Sequence, residues 1–154
     1  MATPAIPSAV QAGTILAFDF GTRRIGVAVG EPATGIAHPL TTIAAERKDE
    51  RFGAIGKLIE AWQPTLLLIG LPTHADGSEH AMTASARRFA RSLEGRFGIA
   101  VALADERYTT HAAGAALHEA GVSAREQRAL RDSVAAQLIL QAWLDQRNAD
   151  ARTA

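Results

Sequence analysis

Three acidic residues stand where a carboxylate is expensive: Asp19, Glu106 and Asp132. Asp19 closes the apolar run TILAFD and, by the two-residue period of a strand, shares a face with Ile15 and Ala17. An ionised group on a covered face is costly unless it is paired or metal-bound. The competing use of Asp19 is to accept backbone hydrogen bonds in the turn that follows. Glu106 comes just after the apolar segment Ile99–Ala104, and ligands in mixed α/β sheets gather at the carboxyl ends of strands. It could instead pair with Arg107 or a neighbouring helix, and Asp105, pointing to the opposite face, is a rival. If the last helix includes Asp132, the 3.6-residue period puts Ala135, Ala136, Ile139 and Trp143 on its face. Otherwise Asp132 is the N-cap of SVAAQLILQAWL.

Together the three have one physical account. A pair of Mg²⁺ or Mn²⁺ ions takes hard oxygen ligands from separate elements and leaves room for water and phosphate. Two such ions about 4 Å apart can activate a water and stabilise the leaving oxygen in phosphodiester hydrolysis. The carboxylates should then converge within roughly 4–8 Å, with Asp19 and Glu106 on neighbouring strands and Asp132 at a helix end. Crowding them without metal should raise carboxyl pKa values and destabilise the fold. Little else in the chain competes as a catalytic centre. There is no cysteine. His38, His74, His80, His111 and His118 lack zinc-ligand spacing and read as surface or loop residues. His111 is close enough to Glu106 in sequence to assist a proton transfer.

Net charge is zero, so composition does not point to nucleic acid. The positive charge is nearly all arginine, Lys48 and Lys57 being the only lysines, and arginine favours bidentate phosphate contacts. Arg23 and Arg24, just after Asp19, and Arg107, just after Glu106, are candidates for substrate phosphate; scattered arginines otherwise read as a solvated surface.

The elements that must position these residues read as follows. Strands at Thr14–Phe20 and Ile25–Val29 flank a tight turn with Gly21 and Thr22, and a third near Gly35–Ile43 is interrupted by Pro39, which suits an edge or a strand end. Phe52, Ile55, Ile59 and Trp62 mark a helix ending before Pro64. TLLLIGLP is a strand covered on both faces. Met82, Ala86, Phe89, Leu93 and Phe97 mark a second helix, stopped at Gly98, and Ile99–Ala104 a second buried strand. Helices follow from about Thr110 to Ala120 and from Ser123, with Glu126 completing a capping box, the latter continuing or restarting through Asp132 to Gln146. A meander followed by alternating units implies one five-stranded mixed sheet with helices on both faces. The domain is expected over 13–147, with flexible tails at 1–12 and 148–154. The N-terminal tail does not read as a signal peptide, and no apolar stretch approaches the roughly 20 residues that cross a bilayer. The expectation is a cytoplasmic protein without membrane contact.

DFGTRRIGVAVG, GLPTHADGSE, DERYTT and RDSVAAQLIL, in that order, resemble the motifs of the YqgF family from about Gly13 to Trp143. The resemblance implies an RNase H-like fold and catalytic acidic residues at Asp19, Glu106 and Asp132. It implies a nuclease that matures the 5′ end of pre-16S ribosomal RNA in ribosome biogenesis, or one that resolves Holliday junctions in branched DNA. The implied partners are nucleic acid and ribosomal particles, for a monomer or weak homodimer. Tyr108 departs from the leucine more usual after DER. The Thr73–Glu79 segment, with the Asp76-Gly77 turn signal, reads as a phosphate-side loop or a plain connection. An Asp-x-Gly-Thr turn also opens ATP-binding folds related to sugar kinases and actin, but those place ATP between two such domains and this chain has room for one. A non-catalytic nucleic-acid-binding protein is the other alternative.

Overall fold

The computed structural model describes residues 13–72, 82–105 and 124–153, with side chains of the last helix described over 130–150. Strands β1 (Ile15–Asp19), β2 (Arg24–Glu31) and β3 (Ile36–Ala44) form the expected meander. Helix α1 (Lys48–Trp62), β4 (Leu66–Leu71), helix α2 (Thr83–Phe97), β5 (Ala100–Asp105) and helix α3 (Ala124–Thr153) follow. The sheet order is β3-β2-β1-β4-β5, with β1, β4 and β5 parallel and the meander antiparallel.

The two faces of the sheet are built from different side chains. Leu16 and Phe18 of β1, Val27 of β2 and Leu67 and Ile69 of β4 point to one face, where Phe52 and Ile55 of α1 and Phe89 and Leu93 of α2 close the core. Ile15, Ala17, Ala28, Ala37, Leu66 and Leu68 point to the other, under Ala136, Ile139 and Leu140 of α3. Burial on both sides is why β1 and β4 read as continuous apolar runs. Ala17, Ala28, Ala37 and Ala136 on this face, with Gly26, let the helix lie close on β1 and β2.

β3 is an edge strand, as Pro39 suggested. The register slips between Val27 and Ala28, so that Leu40 is an extra residue beside Pro39. Farther along the edge, α3 supplies the missing partners. The Gln141 side chain accepts from the Ala37 amide at 2.9 Å and donates to the Gly35 carbonyl at 2.8 Å, and Gln137 donates to the Ala37 carbonyl at 3.1 Å.

Helix α2 ends on Gly98 in the left-handed region (φ 64°), as expected, whereas α1 ends on Gln63 in the same conformation (φ 48°). Nothing lies within 4 Å of a Cβ built at Gly53 or Gly95 in these helices. Gly53→Ala and Gly95→Ala should each raise stability by about 0.5–1 kcal/mol in urea denaturation, because glycine costs about that much in a helix interior.

Two sequence expectations need correction, and the open choice for the last helix is decided. The Ile99–Ala104 segment is not a buried strand: β5 is the other edge among the described strands, and Leu103 is 43% exposed. The last helix does not restart near Asp132 but is continuous from Ala124. Nor does a loose tail begin at 148. The backbone stays helical to Thr153, with Arg147 over the Trp143 ring at 4.2 Å and Gln146 bonded to Asp150 one turn on. The expected helix over Thr110–Ala120, and its stop at Gly121, lie outside the described residues.

Candidate active site

Asp19 is the last residue of β1 and sits directly across from Gly26 of β2. Cross-strand partners have Cα atoms about 4.5–5.5 Å apart and share a face, so both lie on the α3 side with Ala17 and Ala28. Gly26 is where α3 touches the sheet. A Cβ there would be 1.8 Å from the carbonyl oxygen of Asp132, 2.1 Å from its carbonyl carbon and 2.8 Å from the Ser133 amide. The backbone of Asp132 is therefore brought onto Gly26, the cross-strand partner of Asp19. On the far side of Asp19 stand Gly70 of β4 and then Ala104 of β5, in register. Asp19 is thus flanked across the sheet by residues with almost no side chain.

Asp132 is the ninth residue of α3, which excludes the N-cap role and also the expected position at a helix end. Its side chain is 20% exposed and accepts a hydrogen bond from Arg24 Nε at 2.8 Å. Arg24 shares the Gly26 face of β2 and thus acts on the site by holding a carboxylate. Arg23 points elsewhere and makes a 3.7 Å pair with Glu46 on the open surface. A pair as exposed as Arg24–Asp132 contributes about 0.5–1 kcal/mol, the loss expected for Arg24→Gln in urea denaturation.

The expectation of neighbouring strands for Asp19 and Glu106 is corrected by the sheet order. β4 separates β1 from β5, so the strand ends are about 9–10 Å apart at the usual spacing. Val101 packs toward α1 and α2 while Ala102 and Ala104 pack toward α3. By the same alternation Asp105 lies on the α1–α2 side, away from Asp19, and is removed as a rival. Glu106, Arg107, Tyr108, the Thr73–Glu79 loop, His74, His80, His111 and His118 lie outside the described residues; His38 is exposed on β3. Among the described residues no three His, Asp or Glu side chains gather into a metal-binding group. The carboxylates of Asp19 and Asp132 are hard oxygen donors of the class Mg²⁺ and Mn²⁺ prefer.

Arg51 was passed over in the sequence although it stands one turn before Ile55 on the buried face of α1. It is only 7% exposed. Its guanidinium donates to the carbonyls of Ala45 at 2.5 Å and Gly21 at 2.6 Å and lies over the Phe20 ring. Burial lowers its pKa from the ordinary value, against the pull of Glu46. The turn after Asp19 is thereby anchored to α1. It is also tight, since a Cβ on Gly21 would lie 2.5 Å from the Arg24 carbonyl oxygen.

The model of the RuvX family, described as Holliday junction resolvase, matches residues 13–146. The chain belongs to the RuvX family. This bears out the YqgF resemblance and makes the chain a member of a nuclease family. A relative of this RuvX-family chain in Nitrosomonas europaea, named "Putative pre-16S rRNA nuclease", is 58% identical over 138 residues, 90% of this chain and 93% of that one. One of the same name in Thiobacillus denitrificans is 57% identical over 135 residues, covering 88% of this chain and 93% of its own. Thermus thermophilus RuvC, solved with a Holliday junction substrate, superposes with a TM-score of 0.53 at 18% identity, over 89% of this chain and 96% of that one. At that identity the likeness is one of fold, and the fold is RNase H-like. No helix among the described residues is long and apolar enough to cross a membrane.

Proposed function

We propose that this chain hydrolyses a phosphodiester bond of precursor ribosomal RNA, in maturation of the 5′ end of pre-16S rRNA, with Asp19, Glu106 and Asp132 as its catalytic carboxylates. The observation that supports this reading is the approach of the Asp132 backbone to Gly26, the cross-strand partner of Asp19. Two acidic residues 113 positions apart in sequence are brought to one end of the sheet, where a side chain at position 26 would keep them apart. The relatives' names favour RNA. Branched DNA is the second reading, favoured by the family's description and by the junction in the RuvC structure.

Asp19, Glu106 and Asp132 would hold a pair of Mg²⁺ or Mn²⁺ ions, which when bound supply water activation and neutralise charge on the leaving oxygen. Glu106 follows β5, two strands from Asp19, and its longer side chain suits that gap better than an aspartate would. The residues of the chain have distinct tasks. Arg24 fixes the carboxylate of Asp132 and balances its charge in the apo protein. Gly26 admits the helix backbone, and Arg51 holds the turn from which Asp19 projects. Arg107 contacts substrate phosphate. The chain acts in the cytoplasm on ribosomal particles, as a monomer or weak homodimer.

Incubating the purified protein with end-labelled pre-16S RNA and with a four-way DNA junction, with and without Mn²⁺, tests the reading. Metal-dependent cleavage of the RNA is expected. Binding of either substrate without any cleavage would mean a non-catalytic nucleic-acid-binding protein. Arg24 adds a second test. Arg24→Gln should lower apo stability yet enlarge the thermal shift on adding Mn²⁺, since a cation leaves the ligand sphere and a native-state ligand stabilises by its affinity. An unchanged Mn²⁺ shift would remove Asp132 from the metal site.

A further inference from the structure

On the face of the sheet opposite Asp132, a cavity of about 570 Å³ opens between the start of α1 and the middle of α2. Its size is that of a small-ligand site. Phe20 forms part of its floor, half-exposed and stacked on Phe89 with ring centroids 4.9 Å apart. Its walls carry Lys48, Arg51, Arg88 and Arg91 against a single acidic residue, Glu46. The buried Arg51 is spent on backbone carbonyls, and Glu46 pairs with Arg23. Lys48, Arg88 and Arg91 are exposed and form no ion pair among the described residues; Arg88 donates only to Ser85 Oγ, at 3.0 Å. Arg88 and Arg91, three residues apart on one helix face, project to the same side. Three cations with no ion-pair partner among the described residues, around an aromatic floor, suit a phosphate carrying a flat, apolar group.

The position of the cavity relates it to the carboxylates. Phe20 follows Asp19 directly, and successive residues at a strand end project to opposite faces. A polynucleotide crossing the carboxyl end of β1 would thus meet Asp19 on one side and Phe20 on the other. Only an unpaired nucleotide can turn its base into a concave pocket, whereas a duplex keeps its bases stacked. We propose that this pocket binds one nucleotide of the single-stranded flank of the substrate, its phosphate on Lys48, Arg88 and Arg91 and its base against Phe20. The inference rests on the nuclease reading and extends it by a second contact point on the same strand.

Fluorescence anisotropy in EDTA, with labelled single-stranded RNA, single-stranded DNA of the same sequence and a duplex, tests it on the full chain. Arg88→Gln/Arg91→Gln should weaken binding of both single strands about tenfold at low salt. It should also flatten the plot of log affinity against log salt, by up to about 0.7, the slope for one phosphate contact on a single strand. Lys57→Gln/Arg147→Gln removes the same charge away from the cavity and should cost roughly twofold or less, as screening of distant charges implies. Equal losses in the two double variants, or a loss confined to the duplex, would overturn the pocket. If the parent binds strands and the pocket variant binds them equally well, the pocket alone falls. If the parent binds no nucleic acid at any salt concentration, the nuclease reading falls and the pocket with it.

Discussion

Asp132→Asn should lower phosphodiester cleavage by on the order of a thousandfold and leave the fold intact. A carboxylate that helps stabilise developing charge is worth several kcal/mol in the transition state, and each factor of ten in rate corresponds to about 1.4 kcal/mol. Asparagine keeps the shape of the side chain but not its charge. The stability change separates this role from a structural one. The sequence alone suggests relief of crowded like charges and hence a variant as stable as the parent or more so. The 2.8 Å bond from Arg24 reverses that sign for Asp132, because the variant loses a cationic partner. The expected cost is about 0.5–1 kcal/mol for a partly exposed pair. Arg24→Gln combined with Asp132→Asn should cost little more than either change alone, because the two report on one interaction. Urea denaturation of the four proteins measures the coupling, and cleavage of labelled RNA measures the rate. Full activity in Asp132→Asn would take Asp132 out of the catalytic set. Losses that simply add would mean that the two side chains do not act as a pair.

Gly26→Ala should cost about 3 kcal/mol or more, a large effect for one methyl group. Overpacking usually costs about 1–3 kcal/mol because side chains give way. Here the neighbours at 1.8, 2.1 and 2.8 Å are backbone atoms of Asp132 and Ser133, in the middle of a 30-residue helix. They can move only if α3 lifts from the sheet. Lifting it would open contacts made by Ala135, Ala136 and Ile139, all essentially buried. For a chain of this size the melting temperature should fall by roughly 10 °C. Cleavage should fall as well, even at temperatures where the variant is folded, because Asp132 and Asp19 would be moved apart. A melting temperature within a degree or two of the parent would show that α3 does not approach β2 this closely.

What was legible in the sequence followed from local periodicity. β1 and β4 are buried on both sides, and their unbroken apolar runs located them to within a residue or two. The stripe Ala86, Phe89 and Leu93 located α2, and Pro39 correctly marked an edge. What was not legible depends on partners distant in sequence. An apolar run such as Ile99–Ala104 reads the same whether its strand ends up central or at an edge, because the sheet order is set by crossovers and not by composition. Whether the last helix would continue or restart at Asp132 stayed open in the polar stretch REQRALRD; one continuous helix runs through it, and Leu130 there is 45% exposed. Asp19 and Asp132 could be nominated from their positions on covered faces. The approach of the Asp132 backbone to Gly26 could not, nor could the bond from Arg24, 108 residues away. Arg51 was within reach, since an arginine one turn before Ile55 on an apolar stripe must bury its charge against something.

The outer edge of β3 is closed to strand addition. An open edge offers a row of amides and carbonyls on which a foreign strand can grow, and proteins blunt such edges with proline, bulges or a covering element. All three occur within a few residues here: Pro39 has no amide hydrogen to offer, Leu40 breaks the register, and Gln137 and Gln141 occupy the groups of Gly35 and Ala37. The helix that carries Asp132 therefore also guards this edge of the sheet against pairing with a foreign strand. A substitution such as Gln141→Leu would leave the core untouched and still uncover the Ala37 amide and the Gly35 carbonyl. Its defect would emerge as concentration-dependent aggregation, with little change in the rate of cleavage.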